Sequence, residues 1–186
     1  VKIALLLPDS KTARYETFDK PYFTDRLHEL GAENGTTYEV LYSNADQDAA
    51  KQQQQAEAAI TNGADVMVLD PVDAKSAAAI VTKANQANVP VVSYDRLIAN
   101  SKIDYYISFD NEAVGKLQAK SLLKALDGGA GKQIVMINGA PTDSLRSHKN
   151  SAASGQMVPT KKTKAATASS RLFSCESRKG RSAKGG

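Results

Sequence analysis

The sequence predicts an α/β fold in which helices flank a parallel sheet. Three observations carry this. Six short runs rich in β-branched and aliphatic residues recur between Val1 and Ile137: "IALLL", "YEVLY", "DVMVLD", "VPVVSY", "YYISF" and "QIVMIN". Several are apolar without alternation, as strands buried on both faces are. Helical segments separate most of them, which implies βαβ units with right-handed crossovers and a Rossmann-like sheet.

Taken in order, the first strand leads to a helix expected from near Pro21, a favourable first-turn residue, to Gly31. Phe23, Leu27 and Leu30 share one face of it. A second helix, rich in Ala and Gln, is expected from about Asp46 to Asn62-Gly63. A third opens at Asp73, an N-cap residue type, and ends near Asn88 before Pro90. A fourth starts at Asp110 or Asn111 and ends at Gly128-Gly129. Between "VPVVSY" and "YYISF" lie only about ten residues, too few for a helical crossover. The expected strand order is 2-1-3-4-5, with the fourth helix and "QIVMIN" starting a second unit.

The first 150 residues carry 16 basic and 19 acidic side chains, whereas residues 151–186 carry 8 and 1. The net charge of +4 therefore comes from the tail, and a basic nucleic-acid-binding domain is not implied. In residues 151–186, Met157, Val158, Leu172 and Phe173 are the only large apolar residues. This stretch is expected to be irregular or disordered, with a short helix around 162–168. Three segments follow: 1–109 as a ligand-binding lobe, 110–143 as the start of a second lobe, and 144–186 as the tail. The single cysteine, Cys175, excludes an intramolecular disulfide and any multi-cysteine zinc site. The chain opens directly on a strand without a signal-peptide pattern, as a processed and a cytosolic chain both would.

In an open parallel sheet, ligands bind outside the carboxyl ends of the strands. The residues there are polar: Asp9 to Glu16 after the first strand, Asp70 to Asp73 after the third, and Tyr94-Asp95-Arg96 after the fourth. Asp110-Asn111 follows the fifth, and Asn138 to Asp143 the sixth. This chemistry suits a neutral polyhydroxyl compound, because each sugar hydroxyl donates once and accepts twice. Asp accepts, Arg offers a planar fork of donors, and Asn does both. The same residues have structural uses. Asp70 and Asp73 suit turns and caps, Asp110 suits an N-cap, and an Asp-Arg pair makes a salt bridge. His28 is expected on the surface of the first helix. No dinucleotide fingerprint, Walker A, G-x-S-x-G or H-E-x-x-H motif occurs, and no cofactor or metal is expected. "NADQDAAKQQQQ" lacks the mid-loop Gly and terminal Glu of a calcium loop.

"LLLPDSKTARYETFDKPYF", "NGADVMVLDPVDA", "VPVVSYDRLI", "YYISFDNEAVGKLQA" and "INGAPTD" together resemble bacterial periplasmic sugar-binding proteins of the type I fold. The branch they resemble most is the D-xylose-binding proteins of ABC importers. The resemblance covers about residues 1–143. It implies two Rossmann-like lobes that close on a monosaccharide such as D-xylose in an interlobe cleft. It further implies an ABC importer permease as partner, no catalysis, no nucleic acid and a monomer. The implied location is periplasmic or extracellular, with or without a lipid anchor. By motif, Arg14 and Tyr15 are implied sugar contacts, Tyr15 at the place of a stacking aromatic. Arg96 is the implied principal sugar-binding arginine with Asp95 beside it. Asn138 and Asp143 are implied second-lobe contacts, and Asp110 and Asn111 mark the first crossover. From Ser144 the resemblance stops, which fits a shifted reading frame, a truncation or a fusion. The competing reading is the effector core of a lactose-repressor-type regulator, which would need an N-terminal helix-turn-helix.

Overall fold

A computed structural model describes residues 1–127, 133–137, 142, 158–159 and 170–174. The chain divides into two compact units, one built on Val1–Phe109 and the other starting at Asp110.

The first unit holds five strands: β1 (Lys2–Leu7), β2 (Glu39–Asn44), β3 (Val66–Leu69), β4 (Val91–Tyr94) and β5 (Tyr105–Ile107). They form one sheet in the order β2-β1-β3-β4-β5, parallel throughout, as the sequence predicts. The pleat of β1 divides its apolar run between two faces. Ala4 and Leu6 join Met67, Leu69 and Val91 against α2 (Ala49–Thr61) and α3 (Ala78–Gln86), through Ala56, Ala59, Ile80, Val81 and Ala84. Ile3, Leu5 and Leu7 face the other way with Val68 and Tyr15, toward Phe23 and Leu27 of α1 (Lys20–Asn34).

The first helical segment is longer than predicted. A π-helical turn, Tyr15–Asp19, runs directly into α1, which ends where Gly35 turns left-handed at φ 70°. Gly31, the predicted stop, lies inside the helix. A Cβ there would come 2.6 Å from the Thr36 carbonyl oxygen, so glycine serves close approach rather than termination. α2 starts three residues later than predicted, because Asp46 and Gln47 take positive φ and Asp48 is the cap. Its side chain accepts from Ala50 N at 2.8 Å and Lys51 N at 3.0 Å. Asp73 accepts from Lys75 N at 2.9 Å and Ser76 N at 2.7 Å, capping a turn that precedes α3.

The second unit contains α4 (Asn111–Ala125) and three strands, β6 (Gln133–Ile137), β7 (Val158–Pro159) and β8 (Ser170–Ser174). Asp110 is the N-cap of α4 and accepts from Ala113 N at 2.9 Å. Ala119 and Ile134 are buried here, with Leu122, Leu126 and Met136 packed against them. The sheet order is β6-β8-β7, antiparallel. β7 and β8 fall within the stretch that the sequence reads as irregular. β8 pairs with β6 from Gln133↔Ser174 to Ile137↔Ser170, so a segment poor in apolar residues is ordered by main-chain pairing. The helix expected around 162–168 lies outside the described residues.

Among the described residues no helix is long and apolar enough to cross a membrane.

Candidate functional site

The carboxyl rim of the first unit is organised by carboxylates. After β1, Asp9 is buried and folds its own loop. One oxygen accepts from Lys11 N at 2.9 Å and Thr12 N at 2.7 Å, the other from Thr12 Oγ1 at 3.0 Å. Tyr15 N then donates to Thr12 O at 3.1 Å, and the turn carrying Arg14 and Tyr15 begins. Asp9 is thus an Asx-turn residue that aims the next two.

After β4, Asp95 takes a left-handed conformation at φ 56°. Its N donates to Ile107 O at 2.8 Å, and Tyr106 Oη donates to its carbonyl at 3.2 Å, so both main-chain groups are fixed by β5. Ser93 completes the turn: its hydroxyl donates to Arg96 O at 2.8 Å and accepts from Ile98 N at 3.1 Å. This short turn, with Ile98 buried in the core, replaces a helical crossover between two parallel strands.

The left-handed residue sends adjacent side chains to different partners. The Arg14 fork meets Asp95, with Nη1 3.3 Å from Oδ1 and Nη2 3.1 Å from Oδ2. Tyr15 Oη donates to Asp95 Oδ2 at 3.2 Å. Arg14 Nε donates to Asp19 at 2.8 Å, and its guanidinium lies 5.1 Å from the Tyr15 ring centre and 5.8 Å from that of Phe109. Arg96 faces elsewhere: Nη1 donates to Pro71 O at 3.2 Å, and Nε is 3.8 Å from Asp70 Oδ1.

Electrostatics follow from these neighbours. Burial works against the Arg14 charge, but Asp95 and Asp19 outweigh it and the guanidinium is held more firmly protonated than usual. Burial, then Asp70, push the Tyr15 phenol upward. Asp70 is 0 % exposed, and burial pushes its carboxyl well above the ordinary carboxylate range; Arg96 opposes this and Asp95 adds to it.

Of the residues singled out in the sequence, Arg14, Tyr15 and Asp95 form one cluster, and Arg96 stands with Asp70. Tyr15 differs from expectation. It is only 2 % exposed, and its ring packs with Ile3, Leu5, Leu7 and Val68. It offers no stacking face in this structure and acts on the rim through its hydroxyl. Phe109, beside Arg14, is an exposed ring. Asn138 and Asp143 lie outside the described residues. Asp110 caps α4, Asn111 is its first residue, and His28 is exposed as expected. The sequence places Asp70 at the rim, with a turn role as its alternative, and does not single it out as a partner of Arg96. The signal for more was its place: β3 is the central strand of the predicted order, so the residue ending it has neighbours on every side.

Among the described residues, no group of three His, Cys, Asp or Glu could hold a metal ion.

Residues 3–154 match the periplasmic binding protein domain. The chain belongs to the periplasmic binding protein family. It is 34% identical over 143 residues to the D-xylose-binding periplasmic protein of Escherichia coli K12, covering 77% of this chain and 40% of that protein. It is 39% identical over 102 residues to the multiple sugar-binding periplasmic receptor ChvE of Rhizobium radiobacter, covering 53% and 29%. Among solved structures, an ABC transporter solute binding protein from Clostridium phytofermentans with bound β-D-glucose matches with a TM-score of 0.75. The two are 26% identical, and the match covers 83% of this chain and 47% of that one. This periplasmic binding protein chain thus spans about 40% of the length of the D-xylose-binding relative.

Proposed function

We propose that the first unit supplies a monosaccharide-binding wall of a solute-binding protein for a sugar ABC importer, with a pyranose such as D-xylose as ligand. The observation that carries this is the rim itself. Two guanidiniums and two carboxylates converge from β1, β3 and β4, each guanidinium beside a carboxylate, with an exposed aromatic ring next to Arg14. Paired charges of this kind suit neutral hydroxyls, which need donors and acceptors at once, better than an anion. The names of the relatives support the class: one binds D-xylose, another several sugars, and a solved relative holds β-D-glucose. They also support a periplasmic or extracellular location and a permease as partner.

Within this reading Arg96 is the principal sugar ligand and Asp95 the acceptor beside it. Arg14 and Tyr15 hold Asp95 in place. Asn138 and Asp143 are assigned further contacts by motif, and Asp110 with Asn111 the first crossover of the hinge. Calorimetric titration with D-xylose, D-ribose, L-arabinose and D-glucose tests the reading. In a full-length version, Arg96→Ala is expected to cost about 2–4 kcal/mol of binding, since it removes a charged donor pair from acceptors that stay behind. Unchanged affinity in Arg96→Ala would remove that residue from the site, and a full-length version that binds none of the four sugars would refute the class.

A further inference from the structure

Asp9, Asp70 and Asp73 follow β1 and β3 at this rim, and two of the three have evident structural work. Asp9 folds its loop and Asp73 caps a turn. Asp70 has its main chain fully held without its side chain. Asp70 N donates to Leu6 O at 3.0 Å, and its carbonyl accepts from Gln52 Nε2 at 2.8 Å. Gln52 Oε1 in turn accepts from Val72 N at 2.9 Å, so the buried glutamine already shapes this turn. Both Asp70 carboxylate oxygens are buried and meet no donor in good hydrogen-bonding geometry among the described residues, although the Tyr15 hydroxyl stands near enough to favour the ionised carboxyl. A carboxylate in that state costs several kcal/mol. A turn needs no such group.

We propose that Asp70 is a positioning residue for Arg96. Ionised, it holds the Nε edge of the guanidinium at the rim and sets the plane in which Arg96 meets a sugar hydroxyl; protonated, it releases that edge. Two of the contacts that hold Arg96 respond differently to pH. The hydrogen bond to Pro71 O at 3.2 Å is to a neutral acceptor and does not change with pH. The attraction across 3.8 Å to Asp70 vanishes when that carboxyl takes a proton. The other charged or titratable groups facing Asp70 are Asp95 from the β4–β5 turn, and Tyr15 and Arg14 from the π-helical turn. Asp95 is occupied by the Arg14 fork, and the Tyr15 hydroxyl is committed to Asp95 at 3.2 Å, which leaves Arg96 as the cation that Asp70 governs.

The sign follows from burial. Because Asp70 holds its proton above the ordinary carboxylate range, the ionised form exists only at higher pH. Sugar affinity is therefore full at high pH and falls as pH drops through that raised value, while an ordinary carboxylate is still charged. The binding consequence rests on the sugar-binding reading; the coupling between Asp70 and Arg96 does not.

The test has two arms on the whole chain. In sugar-free protein, the Arg96 Nε–H resonance, assigned by its loss in Arg96→Lys, is followed between pH 4 and 9 beside the Asp70 carboxyl carbon. The two are expected to titrate with one shared midpoint above the ordinary carboxylate range, and the Arg96 step is expected to vanish in Asp70→Asn. Separate midpoints, a flat Arg96 resonance, or an unchanged step in Asp70→Asn would each overturn the proposal. The wild-type comparison of midpoints stands even if the variant does not fold. In the second arm, D-xylose and D-glucose are titrated across the same range. Wild-type affinity is expected to fall about tenfold toward acid, and Asp70→Asn to bind at one weak level throughout. Wild-type binding that ignores pH would overturn the proposal. If a full-length version binds neither sugar, the functional reading fails, and the shared titration still decides the role of Asp70.

Discussion

Ionising Asp70 should lower the stability of the fold, and Asp70→Asn should reverse that in a pH-dependent way. The group is fully buried, and burial outweighs the attraction of Arg96. Its folded value is therefore raised above the value in the unfolded chain, about 3.9. The sign differs from that of a salt-bridged carboxylate. Between the two values the unfolded chain has released its proton and the folded chain has not. Stability of the wild type falls as pH rises through that window, by about 1.4 kcal/mol for each unit separating the two values. Below the window both forms are neutral and the carboxyl has no such effect. Asparagine has nearly the same shape and never ionises. Asp70→Asn is thus expected to match the wild type near pH 3.5 and to exceed it at pH 8 by about 1–4 kcal/mol, the range found when buried charges are replaced by neutral groups. For a chain of this length, that is a rise in Tm of about 2–4 °C per kcal/mol. Thermal melts followed by far-ultraviolet circular dichroism at pH 3.5, 5, 6.5 and 8 measure it. An offset that stays constant across pH would refute the reasoning, because it would reflect lost packing rather than a titrating charge.

Two further outcomes are expected. Gly31→Ala should destabilise the first unit by about 1–3 kcal/mol in urea unfolding, since the new Cβ would meet a main-chain oxygen at 2.6 Å rather than a flexible side chain. The Tyr42 phenol is pushed up to about 12, first by burial and then by its hydrogen bond to Glu16. Burial pushes the Tyr94 phenol to about 12 as well, so alkaline spectrophotometric titration should show two tyrosines near that value, and Tyr42→Phe should leave one.

The sheet was legible in the sequence because burial on both faces writes unbroken apolar runs and intervening helices make the strands parallel, while the strand order accords with the family resemblance. Helix ends were less so. Gly31 and Gly35 look alike in the sequence, yet one serves close packing and the other a left-handed stop. The tail's strands were illegible because β8 is ordered through main-chain pairing with β6, which composition does not record. The site divides in the same way. That Tyr94-Asp95-Arg96 lies at the rim follows from its place after a core strand. Which charge meets which does not, since adjacency suggests that Asp95 and Arg96 serve each other. The left-handed turn at Asp95 gives it instead to Arg14, 81 residues earlier, and brings Arg96 to Asp70 and to Pro71, 25 residues earlier. Such partners come from different strands, so only the assembled sheet brings them together. The burial of Asp70 arises likewise. Its strand lies between β1 and β4, while Tyr15, which stands beside it, is delivered by a turn that Asp9 folds. A carboxylate ending an edge strand would have stayed in water and kept an ordinary affinity for protons. The same residue type ending the central strand becomes a group whose charge state the fold itself controls.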